Sequence, residues 1–536
     1  MTLRVTWLFS ALFLVGFWAP LACSSGEDGD DQPSTNTGGT AASGAASGSG
    51  GLSGGPGGAG GADWLGPGEP YDNTRAPFKF GLNLGHPNSA WGDDLLARLG
   101  ARAGATSLRP KLSEYHLERW GYEIEVGDMR SYAADGLGEH TAFVIGATRE
   151  HSTMPASAAD WERDYYVPKN LHEPIWLENG EVNPDNYFAA SLFRTMSVYG
   201  PWVSTWEIWN EPDWVPDWQT TERWWDEPPT KEQLVRFGGS IFDYVRMLRI
   251  ATEVRDKAAP NTRVGLGGIG YPSFLDAILR YTDEPSAGSV DAAHPRTGAN
   301  YFDVVVFHYY PHFSPGNSDV AARGLLSAKK NLEDVLAARG VSPASRSFIV
   351  TESGASHVAI ENTPSGAEYA RNYLTKVMPL AHRAGIEALH WFILSDGSEL
   401  EPPSPFDAMG LYADLSGLTS IEEARLTTNG VALRTLSTRL AEAYISEAAR
   451  ARAVHGAEAD VVGYRLPDGR AAWVAWAVAS DGEAETANVG LETEALVSVF
   501  DWDASETGET STLSPEDGRV TLSVTSSPVI VIESPN

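Results

Sequence analysis

Ser204-Thr205-Trp206-Glu207-Ile208-Trp209-Asn210-Glu211-Pro212 is the stretch from which the fold is read. The β-branched and aromatic run from Ser204 predicts a strand, and Asn210-Glu211 falls at its C-terminal end. In a barrel of parallel strands that end is where chemistry is placed. A second stretch repeats the pattern: Ser347-Phe348-Ile349-Val350-Thr351-Glu352-Ser353-Gly354 reads as a strand that delivers Glu352 to its end.

Six further runs share this character: Phe80–Leu84, Ala105–Leu108, Ala142–Gly146, Arg263–Leu266, Asp303–Phe307 and Ala388–Ile393. With Ser204–Trp209 and Ser347–Thr351 they make eight strands, separated by amphipathic helical patterns. Thr230 with Gln233, and Ser365 with Glu368, read as capping boxes, each closing two orphan amides at a helix start. Leu234, Phe237, Ile241, Tyr244 and Leu248 follow the first box at helical spacing. Leu433, Leu436, Leu440 and Tyr444 share one face of a last helix. The expected fold is α/β: a (β/α)₈ TIM barrel over residues 64–452. Alternation alone leaves a doubly wound open sheet as the other solution. Beyond Ala453 the pattern changes to short strands and turns, among them Pro467-Asp468-Gly469. Residues 453–536 therefore read as a small antiparallel, sandwich-like β-domain.

Composition narrows the function. Of 536 residues, 71 are Asp or Glu and 39 are Lys or Arg, giving a formal charge of −32. Such a chain repels polyphosphates, so nucleic acid is not an expected partner. An apolar fraction of 42%, with 18 Trp, 19 Tyr and 18 Phe, supplies a large core. The single cysteine, Cys23, rules out an internal disulfide and a cysteine metal cluster.

The N-terminus reads as an export signal. Arg4 precedes an apolar run from Trp7 to Trp18, and Pro20-Leu21-Ala22 leads into Cys23. Residues 1–22 resemble a bacterial lipoprotein signal, which implies lipidation of Cys23; Leu21 stands two residues before the cysteine, where the usual pattern has it three before. The expectation is an exported protein, lipid-anchored to the cell envelope or secreted, which meets a membrane only through that anchor. Residues 23–63 are acidic and then rich in small residues: from Thr37 to Ala62, 22 of 26 are Gly, Ala or Ser. That composition cannot bury enough apolar surface to order itself and predicts a flexible spacer.

Two glutamates at strand ends facing one mouth are what glycosidic cleavage requires: one protonates the leaving oxygen while the other attacks the anomeric carbon. Neighbouring negative charge and partial burial are expected to hold one of them protonated near neutral pH. Seven of the 18 Trp lie between Trp202 and Trp225, and Trp214, Trp218, Trp224 and Trp225 fall just after Glu211. Indole faces stack on the C–H faces of sugars, so Trp214 and its neighbours are candidate carbohydrate contacts, about half of them being expected simply to pack the loop. The segment from Thr148 to Asp185, with Trp161, Tyr165, Tyr166 and Trp176, is expected to shape the cleft.

Asn210-Glu211-Pro212 after an aromatic strand, with Glu352 ending another about 140 residues later, resembles the clan A retaining glycoside hydrolases. Trp206-Glu207-Ile208-Trp209 is similar to the xylosidase and iduronidase branch, and a cellulase-like branch is the other candidate. The resemblance implies a hydrolase that cleaves β-glycosidic bonds of a polysaccharide or oligosaccharide by retaining double displacement, without a cofactor. It implies Glu211 as acid/base, Glu352 as nucleophile and Asn210 as the contact to the sugar 2-hydroxyl. Arg109, His308 and Tyr310 would support the nucleophile, and Trp391 would floor the subsite of the attacked sugar. Ser353 departs from the aromatic or Asn that often follows the nucleophile in close relatives.

Three rival readings are weaker. A non-catalytic glycan-binding barrel has no use for both glutamates. Gly265-Leu266-Gly267-Gly268-Ile269-Gly270 matches a dinucleotide fingerprint, but it lies at the fifth strand, where a tight turn at a barrel rim explains it. His308 and His312 are spaced like a metal pair, yet Pro311 breaks the helix this would need, so no metal is expected there.

Overall fold

Eight parallel strands form the barrel: β1 (Lys79–Leu82), β2 (Ser107–Leu108), β3 (His140–Val144), β4 (Val203–Ile208), β5 (Arg263–Gly265), β6 (Val304–His308), β7 (Ser347–Ser353) and β8 (Ile386–Trp391). Their order is β2-β1-β8-β7-β6-β5-β4-β3, and a parallel bridge between Lys111 and Phe143 joins β2 to β3. The computed structural model describes residues 76–85, 91–398, 404–480 and 485–535. The signal, the spacer and Cys23 lie outside them. Among the described residues no helix is long and apolar enough to cross a membrane.

The barrel strands carry near-continuous apolar runs because both their faces are covered. β6 shows this best: Val304, Val305, Val306, Phe307 and His308 are all buried. Val304 and Val306 meet Ile349 and Ala388 in a separate cluster, while Val305 and Phe307 join the main core with the helices. Those helices are α1 (Asp93–Arg102), α2 (Glu114–Trp120), α3 (Val126–Ala134), α4 (Tyr187–Tyr199), α5 (Ile241–Ala258), α6 (Pro272–Arg280), α7 (Ser318–Ala338), α8 (Ala367–Arg383) and α9 (Thr428–Leu440).

Neither expected capping box starts a helix. α5 is capped ten residues later than Thr230, where Ser240 and Asp243 make the reciprocal box. Thr230 and Gln233 instead close a turn: the Thr230 amide donates to Gln233 Oε1 at 3.0 Å, and so does Trp224 Nε1 at 3.1 Å. Leu234 and Phe237 are still fully buried, which is why their spacing mimicked a helix. Ser365 likewise turns back to the Ile360 amide, and Gly366 caps α8 without a side-chain bond.

The C-terminal segment folds into a three-stranded and a six-stranded antiparallel sheet. The smaller contains β10 (Ala453–Val454), β13 (Thr486–Glu492) and β16 (Arg519–Thr525). The larger runs β15-β14-β17-β12-β11-β9, and β9 (Tyr444–Ile445) pairs with β11 (Ala459–Arg465). Its other members are β12 (Ala471–Ala477), β14 (Val497–Phe500), β15 (Ser511–Leu513) and β17 (Val529–Glu533). All seven residues of β12 are buried. Trp473 and Ala475 face the sandwich interior, and Ala472, Val474 and Trp476 belong to the barrel's core. Period-two alternation thus serves two cores at once.

Candidate active site

Arg109, one residue beyond β2, is the centre of the mouth. Its guanidinium is forked onto Glu207 of β4, with Nε to Oε2 and Nη2 to Oε1 both at 2.7 Å. Nη1 also donates to Glu352 Oε1 at 2.6 Å, and Nη2 to Asn210 Oδ1 at 2.6 Å. The Phe143 ring lies 4.4 Å below the cation. Burial opposes the charge on Arg109, but Glu207 and Glu352 outweigh it and raise its affinity for the proton further. Glu207 is fully buried and had no role in the sequence reading. Its only signal was an acid inside an otherwise apolar strand.

Glu352 ends on two donors: Arg109 takes Oε1, and the Tyr310 hydroxyl donates to Oε2 at 2.7 Å. Burial first, and then the Glu352 charge, raise the Tyr310 hydroxyl well above its ordinary range, so it stays a donor. Glu211 faces a different pair. His308 Nδ1 lies 3.0 Å from its Oε1, and Arg236 Nη1 donates to its Oε2 at 2.9 Å. An oxygen of Glu211, an oxygen of Glu352 and a ring nitrogen of His308 all lie within 4.8 Å of one another.

His308 touches both carboxylates, with Nδ1 also 3.6 Å from Glu352 Oε2. Thr351 Oγ1 donates its single hydrogen to Glu207 Oε1 at 3.2 Å, so it accepts from His308 Nε2–H at 3.0 Å. Nδ1 then shares one proton with Glu211. Burial works against a charged imidazole, but Glu352 and Glu211 outweigh it and raise His308. For Glu211 burial is again the largest influence, upward, and His308, Arg236 and Arg109 together overcome it and draw the carboxyl below its ordinary range. Burial alone would favour a protonated Glu211, as expected for one of the two glutamates, but here the three cations draw the carboxyl the other way. Asp213, two residues on, is the carboxyl that burial pushes up, to about 7, with the Glu211 charge adding to it against hydrogen bonds from the Gly270 and Tyr271 amides.

The backbone around Glu211 is strained. Trp209 and Glu211 have φ of 79° and 48°, in the left-handed region that side chains other than glycine rarely adopt. Bonds on both flanks hold them: the Glu211 amide donates to Gly267 O at 2.7 Å, and the Tyr244 hydroxyl of α5 donates to Ile208 O at 3.1 Å. The fingerprint-like glycines find their explanation here. A Cβ on Gly268, at φ 61°, would stand 2.2 Å from His308 Nε2, and one on Gly267 would meet Ile208 O at 2.4 Å. The run is a close approach of the β5 loop to His308 and to the end of β4.

Trp391 does not reach the mouth. Its ring is fully buried, donates to Met409 O at 2.7 Å and packs against Tyr373 of α8. Strand alternation turns the next residue, Phe392, the other way, edge-on to Tyr310 at 6.0 Å, and Phe406 joins them. Trp214 does lie at the site, under the Arg236 guanidinium at 4.1 Å. Of the other tryptophans, Trp206, Trp209 and Trp224 are core, whereas Trp161, Trp218 and Trp225 are exposed. Trp176 packs away from the mouth, on Glu253 and Lys257 of α5. Glu211, His308 and Glu352 have the donor set of a cation site, but each of the four carboxylate oxygens already faces a cationic or hydroxyl donor.

No family model matches the chain, and no curated protein is similar to it in sequence. Solved structures do resemble it. A family 39 glycoside hydrolase from the gut symbiont Bacteroides cellulosilyticus WH2 superposes with a TM-score of 0.54 at 16% identity, over 86% of this chain and 82% of that one. A glucosidase from Croceicoccus marinus gives 0.52 at 10% identity, over 86% and 97%. A GH30 endoxylanase from Clostridium papyrosolvens C71 gives 0.51 at 13% identity, over 86% and 98%. The protein is a (β/α)₈ barrel with a C-terminal β-domain, and it shares its fold with these three over that span.

Proposed function

We propose that the protein is a retaining β-glycoside hydrolase whose nucleophile is Glu352 and whose acid/base is Glu211. The observation that carries this reading is the approach of their oxygens to within 4.8 Å across the mouth. Retaining enzymes hold their carboxyl groups about 5 Å apart, whereas inverting enzymes leave room for a water. Glu352 attacks the anomeric carbon, its oxygens aimed by Arg109 and Tyr310. Glu211 protonates the departing oxygen, taking its proton from the pair it shares with His308. The ionised Glu211 then draws a proton from water, which displaces the sugar from Glu352. Asn210, fixed by Arg109, is placed to meet a hydroxyl of the attacked sugar. The solved structures with this fold include a glucosidase and an endoxylanase, and the acidic surface suits a neutral β-linked glycan better than a polyuronate.

Glu352→Ala should lower turnover by several orders of magnitude while sugar binding survives. Azide should restore turnover of an activated aryl β-glycoside and yield the azide of inverted configuration. In Glu211→Ala the glycosyl-enzyme still forms, so azide should give the retained product. Near-normal hydrolysis by Glu352→Ala would remove Glu352 from its role. The reading includes export and lipidation at Cys23, supported by the N-terminal sequence alone. Membrane fractionation checks it: Cys23→Ala should move the protein to the soluble exported fraction, and continued sedimentation with membranes refutes the anchor.

A further inference from the structure

Arg236 is a second cation at the mouth that no motif announced. Its side chain is 19% exposed, and Glu211 Oε2 is its one hydrogen-bonded partner among the described residues. Arg109, by contrast, spends its donors on four residues. Arg236 is also held still. Its guanidinium lies on Trp214 at 4.1 Å with the Tyr165 ring 5.9 Å away. Its backbone carbonyl accepts from Trp209 Nε1 at 2.9 Å, and Trp209 is itself buried against Phe237. A fixed planar fork with spare donors matches a carboxylate or a sulfate oxygen pair.

The side of the cleft follows from the chemistry. Resting on the reading of Glu211 as the acid, the leaving group departs past Glu211, and Arg236, Trp214 and Tyr165 stand on that carboxylate's far oxygen. Charge balance then poses a problem. While Glu211 holds the proton destined for the leaving oxygen, Arg236 is without its counter-ion in a site it shares with His308 and Arg109. Asp213 does not replace it: its Oδ2 takes the Gly270 and Tyr271 amides, and among the described residues Arg236 is ion-paired to Glu211 and not to Asp213.

We propose that Arg236 with Trp214 and Tyr165 forms a leaving-group subsite for a sugar bearing an anionic substituent, a uronate carboxylate or a sulfate ester. The substituent takes Arg236 from Glu211, supplies the missing negative charge, and so lets Glu211 hold its proton. One acidic unit on an otherwise neutral glycan is selected, which the overall charge of −32 does not forbid at this one cation.

Titration calorimetry of the full protein tests this with methyl β-glucuronide, its methyl ester and methyl glucoside 6-sulfate. The ester keeps every ring atom and removes only the charge. A charged probe should bind about tenfold more tightly than the ester. The carboxylate and sulfate arms show which anion is preferred. Arg236→Gln should erase the difference, and Arg236→Lys, which keeps charge without the fork, should restore part of it. Equal binding of ester and charged probes, or a preference that survives in Arg236→Gln, overturns the proposal. A protein that hydrolyses neutral glycans through Glu352 yet shows no charge preference keeps the hydrolase reading and loses this subsite.

Discussion

At the scale of single residues, the site is a balance between burial and paired charge. Glu211 is faced by His308 from β6, Arg236 from the turn before α5, Arg109 beside β2, Glu352 from β7 and Asp213 from its own loop. Burial raises its pKa; the three cations lower it and prevail. A general acid works only while protonated, so kcat/KM on neutral glycosides should fall as pH rises through the Glu211 pKa, and the lowered value puts that descent on the acid side. Arg236→Gln removes a cation 2.9 Å away, which raises the Glu211 pKa and should move the descending limb upward by on the order of one pH unit. A pH–rate profile of both proteins decides it. An unmoved or downward-shifted limb would show that Glu211 does not control the descent.

The elements place these residues by loops rather than by strands alone. β4 brings Glu207 to Arg109, but the left-handed turn at Trp209 and Glu211 is what aims the acid, and it is tied to the β5 loop at Gly267. Gly268 then lies against the His308 ring. Gly268→Ala should displace His308 from Glu211, because the added carbon has no room at φ 61° and 2.2 Å. The expected result is a fall in kcat of about a hundredfold, as for a catalytic group misplaced by about 1 Å, with a folded protein by circular dichroism. Unchanged kcat would mean that His308 does not act through its position. The same loops explain why the helix starts were misread: Thr230 and Gln233 pair locally, as their sequence suggests, and only Ser240 lies where the chain turns into α5.

Across the whole molecule, the β-domain is part of the barrel's core rather than an appendage. Tyr464, Trp476, Ile530 and Ile532 are counted in the same apolar cluster as the barrel strands and helices. Asp319 of α7 ties the joint: it accepts from Lys376 Nζ of α8 at 2.7 Å, from Trp476 Nε1 at 2.8 Å and from the Ala479 amide at 3.1 Å. Lys376 is wholly buried, so Asp319→Ala removes the carboxylate from a charge that water cannot reach. Destabilisation of about 3–5 kcal/mol is expected in urea or thermal unfolding. Barrel and β-domain should melt together in native and variant. A variant as stable as the native protein, or two separate transitions, would show that the joint carries no such load.

The strand ends bearing Glu211 and Glu352, the eight-strand count and the change to β-structure near the C-terminus were all legible in the sequence. Each is written in local signals: β-branched runs, turn residues and hydrophobic period. The two glutamates were found because strands present their ends in order along the chain. Arg236, the role of Glu207 and the burial of Trp391 were not legible. Arg236 meets Glu211 across a 25-residue separation whose only helix is the short 3₁₀ segment Trp218–Trp225, Glu207 looks like any acid in a strand until Arg109 is folded onto it, and strand pleating decides whether Trp391 or Phe392 faces the mouth. The direction in which the Glu211 pKa moves is likewise decided only by folding, since it depends on charges that converge in space from β2, β6 and the turn before α5.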